Sequence, residues 1–171
     1  MARVTAGDDP LDPAEHDRVR AVLYLGGMRR EALEDGVQQV RVKLLEQLRS
    51  RGEPRRRGAW LATVAGRVAM DTHRARQRER GLAERIRHRD PPPLSDHGRT
   101  AEQQELALTV GQLLEGLDQR TRTLVVLRFY ADLSVQEIAE RMGIPEGTVK
   151  SRLHTAMRAL RQRLRESEVV K

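Results

Sequence analysis

The chain has 171 residues, and 32 Lys and Arg against 25 Asp and Glu give it a formal net charge of +7. This excess of cations favours a polyanionic partner, with nucleic acid first. The sequence has no cysteine, which excludes disulfides and cysteine-ligated zinc. No apolar run reaches the roughly 18 residues of a membrane helix, and the N-terminus has no apolar signal core. We therefore expect a cytoplasmic protein without membrane insertion.

The N-terminal part of the chain predicts a disordered start and then two helices. Residues 1–13 are rich in Gly, Asp and Pro and offer little to bury, so we expect disorder there. Apolar periodicity predicts a short helix over 14–25, which Gly26 and Gly27 interrupt, and a second helix over about 29–49.

A basic loop and a third helix follow. Residues 50–58 hold the arginines of the loop. The apolar positions from Trp60 to Ala69 predict a helix that continues through His73 to an Arg-rich end at Arg80.

A proline-rich stretch divides the chain. Three consecutive prolines from Pro91 onwards cannot lie inside a helix, and they predict a linker over 89–101. After it, apolar spacing predicts a further helix ending near Leu117, and Asp118 is suited to cap the next one. The pattern indicates an all-α fold of two small helical domains, 14–88 and 102–166, joined by a flexible linker and followed by a tail over 167–171.

Residues 134–164 predict a helix, a tight turn and a second helix. Ser134 and Glu137 have the spacing of a capping box. Gly143 suits the left-handed conformation that ends a helix, and Pro145 suits the first position of the next helix. The second helix has an apolar stripe beginning at Val149, and its opposite side is polar and basic. Such a helix can enter the major groove of DNA.

The run from Leu117 to Leu164 resembles region 4 of bacterial sigma factors, especially the extracytoplasmic-function (ECF) group. The segment GTVKSRLH, residues 147–154, is its most specific part. That segment alone is also similar to the output domain of LuxR-type regulators. The N-terminal part of the chain distinguishes the two families. The polymerase-binding helix of sigma region 2 is similar to EDGVQQVRVKLL, and the promoter-melting helix is similar to GAWLATVAGRVAMDTHRARQRER.

The resemblance implies an initiation factor that binds core RNA polymerase, through the β′ clamp helices and the β flap, and that recognises promoter DNA. It also implies an anti-sigma factor as a candidate partner. It implies neither a catalytic residue nor a metal or other cofactor. The implied polymerase-binding residues are Glu34, Asp35, Gln38 and Gln39.

The implied DNA-binding residues fall into two sets. For the minus-35 element they are Lys150, Ser151, Arg152, His154, Thr155 and Arg158. For the minus-10 element they are Arg55, Arg56, Arg57, Trp60, Arg67, His73 and Arg74.

The chain departs from the family pattern at several positions. Thr155 stands where an arginine often contacts phosphate, and Arg67 stands where asparagine is common. The other departures are Gly26, Gly27, Gly36 and Arg41.

Three other functions compete with this interpretation. A LuxR-type regulator would need a sensory domain, and the first hundred residues show no strand pattern for one. An enzyme is disfavoured because no P-loop, HExxH or GxSxG motif occurs, and Asp71 and His73 at i, i+2 point to different helix faces. A nucleoid-type binder would show no promoter preference.

Overall fold

The structure is a computed structural model that describes residues 9–80 and 110–169, which we call the first half and the second half. Within these ranges every long element is a helix, so the predicted all-α fold is confirmed. The linker predicted over 89–101 and the first eight residues lie outside the described residues, and the domain boundaries stay a prediction. None of the helices in the described part is long and apolar enough to cross a membrane.

Three helices and a short 3₁₀ turn form the first half. Asp12 caps the first helix through a capping box with Glu15, and Leu11 is only 3% exposed. The prediction of disorder up to residue 13 is therefore wrong for residues 9–13, because the cap and the buried leucine fix this stretch. The elements are α1 (Pro13–Leu25), the 3₁₀ turn (Arg30–Ala32), α2 (Leu33–Arg51) and α3 (Arg57–Arg80).

The second half contains four helices and a π-helical turn. As predicted, the carboxylate of Asp118 accepts hydrogen bonds of 3.1 Å from the backbone N–H groups of Arg120 and Thr121, which begins a helix. The elements are α4 (described over 110–115), α5 (Gln119–Val125), the π turn (Val126–Tyr130), α6 (Val135–Met142) and α7 (Glu146–Val169).

The π turn connects α5 to the helix-turn-helix. The N–H of Ala131 donates to the carbonyl of Val126, five residues earlier, at 3.1 Å. Asp132 then adopts a φ of 55°, in the left-handed region that few non-glycine residues occupy. This sharp change of direction turns the chain into α6.

The helix-turn-helix has the predicted caps. Ser134 and Glu137 form the capping box, and Gly143 ends α6 with φ 66° and ψ 37°. Pro145 lies one position earlier than expected, because its carbonyl already accepts the N–H of Thr148 at 2.9 Å and so occupies the N-cap of α7. A one-residue difference at a helix end is ordinary.

The buried apolar side chains of both halves form one cluster. Leu23 and Leu44 are fully buried in the first half, and Leu127 and Ile138 in the second. α3 lies against α5 and the π turn. The two halves are therefore packed together rather than separated.

Two departures from the family pattern are compensated inside the first half. A Cβ at Gly36 would lie 2.6 Å from the sulfur of Met28, so Met28 occupies the space that a larger residue would take. The Nε of Arg41 donates to the carboxylate of Asp9 at 2.9 Å. That hydrogen bond is the main reason why the pKa of Asp9 is below its usual value.

Candidate nucleic-acid interface

The outer face of α7 is an exposed basic surface of the second half. Its inner side chains, Val149, Leu153 and Ala156, are buried against the rest of the helix-turn-helix. Burial of this stripe fixes which face points outwards. Arg152 is half-buried, and the other predicted minus-35 residues are all exposed: Lys150, Ser151, His154, Thr155 and Arg158.

Lys150 and Ser151, in the first turns of α7, make contacts within the same helix. The Nζ of Lys150 lies 3.2 Å from the carboxylate of Glu146, four residues earlier. The hydroxyl of Ser151 donates to the carbonyl of Thr148 at 3.1 Å. An exposed i, i+4 ion pair contributes only about 0.3–0.5 kcal/mol. These groups can therefore exchange their contacts for a nucleic-acid ligand at little cost.

Arg57, in contrast, is held by several partners. Its Nε donates to the carboxylate of Glu15 at 2.6 Å, its Nη2 to the carbonyl of Pro10 at 2.5 Å and its Nη1 to Glu53 at 2.8 Å. The hydrogen bond with Glu15 is the main reason why the pKa of Arg57 is above its usual value. Arg57 is one of the predicted minus-10 arginines, and its hydrogen bonds link the start of α3 to α1.

The neighbouring arginines differ in what they contact. Arg55 is exposed, and Trp60 is half-buried at the edge of the apolar cluster. Arg56 forms an ion pair with Glu137 of α6. Among the loop arginines at 55–57, Arg56 is therefore the one that pairs with a residue of the second half.

The outer face of α3 carries the remaining predicted minus-10 residues. Arg67 is exposed, and its guanidinium donates to the backbone carbonyl of Arg141 in α6. Arg74 lies 3.3 Å from the carboxylate of Asp71, and His73 is half-buried. Among the described residues, Asp71 and His73 belong to no group of three side chains that could hold a metal ion.

The outward face of α2 carries the predicted polymerase-binding residues. Glu34, Asp35, Gln38 and Gln39 are all exposed, while Val37 on the inner side is fully buried. The carboxylate of Glu34 pairs with Arg20 of α1. The structure thus brings all four to one face.

Arg122 and Gln119 contact the first half, and the sequence interpretation assigned neither of them a role. The guanidinium of Arg122 donates to the carbonyls of Leu25 and Tyr24, and the amide of Gln119 donates to that of Gly26. Partners more than 90 residues away leave no periodic signal. The Gly26-Gly27 departure from the family pattern lies at this contact.

Comparison with protein families matches residues 113–162 to the model "Sigma-70, region 4". The ECF RNA polymerase sigma factor SigL of Mycobacterium tuberculosis is 32% identical over 187 aligned positions that cover all of both chains. The ECF sigma factor SigW of Bacillus subtilis is 44% identical over 62 residues, which cover 36% of this chain and 33% of SigW.

Two solved structures share the fold. The sigma factor RpoE of Bartonella quintana, in complex with the anti-sigma factor NepR, matches with a TM-score of 0.67 at 22% identity, over 89% of this chain and 92% of RpoE. CnrH, in complex with the cytosolic domain of CnrY, matches with a TM-score of 0.61 at 23% identity, over 90% and 84%.

The full-length similarity to SigL does not support the LuxR-type alternative, because it includes the first half of the chain. The chain therefore belongs to the ECF group of RNA polymerase sigma factors, which bind core RNA polymerase and direct promoter-specific initiation of transcription.

Proposed function

We propose that this sigma factor places α7 in the major groove of the minus-35 element. It then uses the basic loop and the outer face of α3 at the minus-10 element. One observation carries this proposal: α7 buries one stripe against the helix-turn-helix and leaves a polar, basic face exposed. The role is promoter specificity in the cytoplasm rather than catalysis.

At the minus-35 element, Lys150, Ser151 and His154 are suited to base edges and adjacent phosphates near the start of α7. Arg152 and Arg158 are suited to phosphates, which fix the position of the protein without reading sequence. Thr155 is exposed on the same face but has no charge for a phosphate.

The test of this role is run-off transcription with core polymerase and a genomic library. We expect Lys150→Ala with Ser151→Ala to lower promoter-specific transcript by about tenfold or more, since one good base contact contributes about 1–3 kcal/mol. Binding to core polymerase should stay intact. Loss of core binding in this variant would sink the assignment of α7 to DNA.

At the minus-10 element, Arg55 and Arg56 of the loop and Arg67 in the middle of α3 have exposed side chains. An arginine plane can stack on an everted base, and its charge can follow a single strand. Trp60, His73 and Arg74 extend the same surface along α3. Arg57 has a supporting role, because its guanidinium is occupied by Glu15 and Pro10.

For polymerase docking we propose the exposed face of α2 as the surface for the β′ clamp helices, with the second half on the β flap. Asp35, Gln38 and Gln39 supply its polar groups, and Glu34 contributes after exchanging Arg20. The complex of RpoE with the anti-sigma factor NepR favours an anti-sigma factor as a further partner.

Asp35→Arg reverses one charge on this face without touching α7. We expect weaker binding to core polymerase in a pull-down, while the direct binding of the chain to minus-35 DNA is unchanged. Glu46→Arg is the matched control, because it reverses a charge at an exposed position of α2 outside the predicted docking residues. Equal core affinity of Asp35→Arg and the unsubstituted chain would count against α2 as the docking face.

A further inference from the structure

A carboxylate and an ammonium group lie side by side at the start of α7. Glu146 is the first residue of this helix, and its carboxylate lies 3.2 Å from the Nζ of Lys150, one turn later. Both side chains are largely exposed, Glu146 to 48% and Lys150 to 65%. The N-terminal residues of a recognition helix are the ones that contact base edges in the major groove. An acceptor and a donor are therefore placed together where α7 would meet the bases.

Gly147 follows Glu146 in the first turn and is exposed. Its φ is not positive, and a Cβ at this position would meet no atom of the described residues within 4 Å. Glycine is, after proline, the least favourable residue in a helix. Neither the backbone conformation nor the packing of the described residues accounts for its use here. Close approach of the backbone to a ligand is another reason for a glycine, and the DNA-facing position of Gly147 fits it.

The major-groove edge of a G·C base pair is complementary to this ion pair. Guanine presents O6 and N7 as acceptors, and cytosine presents its N4 amino group as a donor. The N4 and O6 atoms are joined by a hydrogen bond of about 2.9 Å. This spacing is close to the 3.2 Å between the Nζ of Lys150 and the carboxylate of Glu146. The ammonium can thus donate to O6 while the carboxylate accepts from N4, and the ion pair stays intact.

We propose that Glu146 and Lys150 together read one G·C base pair of the minus-35 element, with guanine on the side of Lys150, and that Gly147 lets the base edges approach. The inference rests on the proposed function, because it takes α7 as the helix in the minus-35 groove. A T·A pair offers the ammonium one acceptor fewer, since thymine has a methyl group beside O4 where guanine has N7. The reversed pairs, C·G and A·T, put an amino donor opposite Lys150. One orientation of G·C is therefore preferred.

The ion pair also allows a carboxylate to enter a groove between two rows of phosphates. Lys150 balances the charge of Glu146, so the two side chains enter without net charge. Glu146 in turn reduces the attraction of Lys150 to phosphates, which is independent of sequence. The pair therefore gives up non-specific affinity and gains discrimination, because a wrong base pair leaves the carboxylate without a donor.

A charge swap tests the assignment without changing the net charge. The complex of the full chain with core RNA polymerase selects duplexes that have a randomised minus-35 element, and the bound duplexes are sequenced. We expect the unsubstituted chain to prefer G·C at one position by about fivefold or more, the lower value for one good base contact. Glu146→Lys with Lys150→Glu should reverse this preference to C·G. An unchanged preference for G·C in the swapped variant would overturn the inference.

Glu146→Gln distinguishes base reading from a purely structural role in the helix. We expect the G·C preference to fall severalfold, while binding to duplexes without a minus-35 element becomes tighter because Lys150 is released to phosphates. A carboxylate that only stabilised α7 would instead weaken binding to all duplexes equally when it is replaced.

Glu166→Gln is the matched control. Glu166 is exposed about 30 Å further along the same helix. Its carboxylate also has a partner four residues away, the amide of Gln162 at 3.0 Å. An unchanged G·C preference in Glu146→Gln, or an equal loss in Glu166→Gln, would overturn the inference.

Gly147→Ala tests the close approach of the base edges. Alanine favours the helix, so we expect an equal or higher free energy of unfolding in chemical denaturation, together with severalfold weaker binding to the preferred duplex. Equal binding would overturn the role of Gly147. Failure of the proposed function would look different, because the unsubstituted chain with core polymerase would then select no minus-35 sequence at all.

Discussion

The chain has two basic surfaces, and their arginines and lysines have different surroundings. Among the predicted contacts on α7, Lys150 pairs with Glu146 of the same helix. In the loop and on α3, Arg57 pairs with Glu15 of α1, and Arg56 pairs with Glu137 of α6. The first surface is available to a ligand as it stands, whereas the second is partly occupied by the protein itself.

The position of carboxylates in space accounts for the difference. A partner on the same helix is exposed and screened by solvent, so its contact is weak. An ion pair with a carboxylate on another helix links the two helices and holds the arginine side chain in place. A count of arginines along the sequence therefore overestimates the cations that can reach DNA.

The largest effect that would sharpen this comparison is at Arg57. We expect Arg57→Ala to lower the free energy of unfolding by about 2–3 kcal/mol, because the carboxylate of Glu15 and the carbonyl of Pro10 lose a charged donor. Arg55→Ala is the matched control at an exposed position, with a change within about 0.5 kcal/mol. Chemical denaturation measures both; equal stability of the two variants would contradict a structural role for Arg57.

A smaller effect is expected on α7, at Arg158. Arg158→Ala should weaken binding to minus-35 DNA by about 1.5 kcal/mol, the lower value for a hydrogen bond to a charged group. The slope of log affinity against log salt should fall by about 0.9, the value for one phosphate contact. An unchanged slope across a salt titration would show that Arg158 is only solvated.

The smallest effect is a gain at Thr155. Because Thr155 is exposed on the DNA-facing side of α7, Thr155→Arg should add a phosphate contact. We expect binding tighter by about 0.2–1 kcal/mol, as for other exposed ion pairs. Thr155→Gln is the neutral control in the same binding assay, and an equal gain from it would show that charge is not the cause.

Local sequence signals predicted the second half well. The capping box at Ser134, the left-handed Gly143 and the cap at Asp118 each act over a few residues, so their spacing is visible in the sequence. The outward face of α7 followed from the periodicity of its apolar stripe. Asp35 and its neighbours came from the family resemblance; the structure finds them exposed on α2, and their role in polymerase binding stays a prediction.

Contacts between distant residues could not be predicted in this way. Nothing near Arg122 indicates that its partners are the carbonyls at the end of α1. Likewise, the sequence shows three equivalent arginines at 55–57, and only the position of Glu15 and Glu137 distinguishes them. The burial of Leu11 was missed because a single apolar residue among Asp and Pro has no periodicity.

The π turn over Val126–Tyr130 has a consequence for how sequences of this kind can vary in length. A turn closed over five residues contains one residue more than an ordinary helical turn. Deleting one residue there would leave a turn of ordinary α-helical width, and the point at which Asp132 redirects the chain would shift. The direction of the DNA-reading helix therefore depends on the number of residues in this turn as well as on their chemistry. Loops elsewhere in the chain should tolerate insertions that this turn does not.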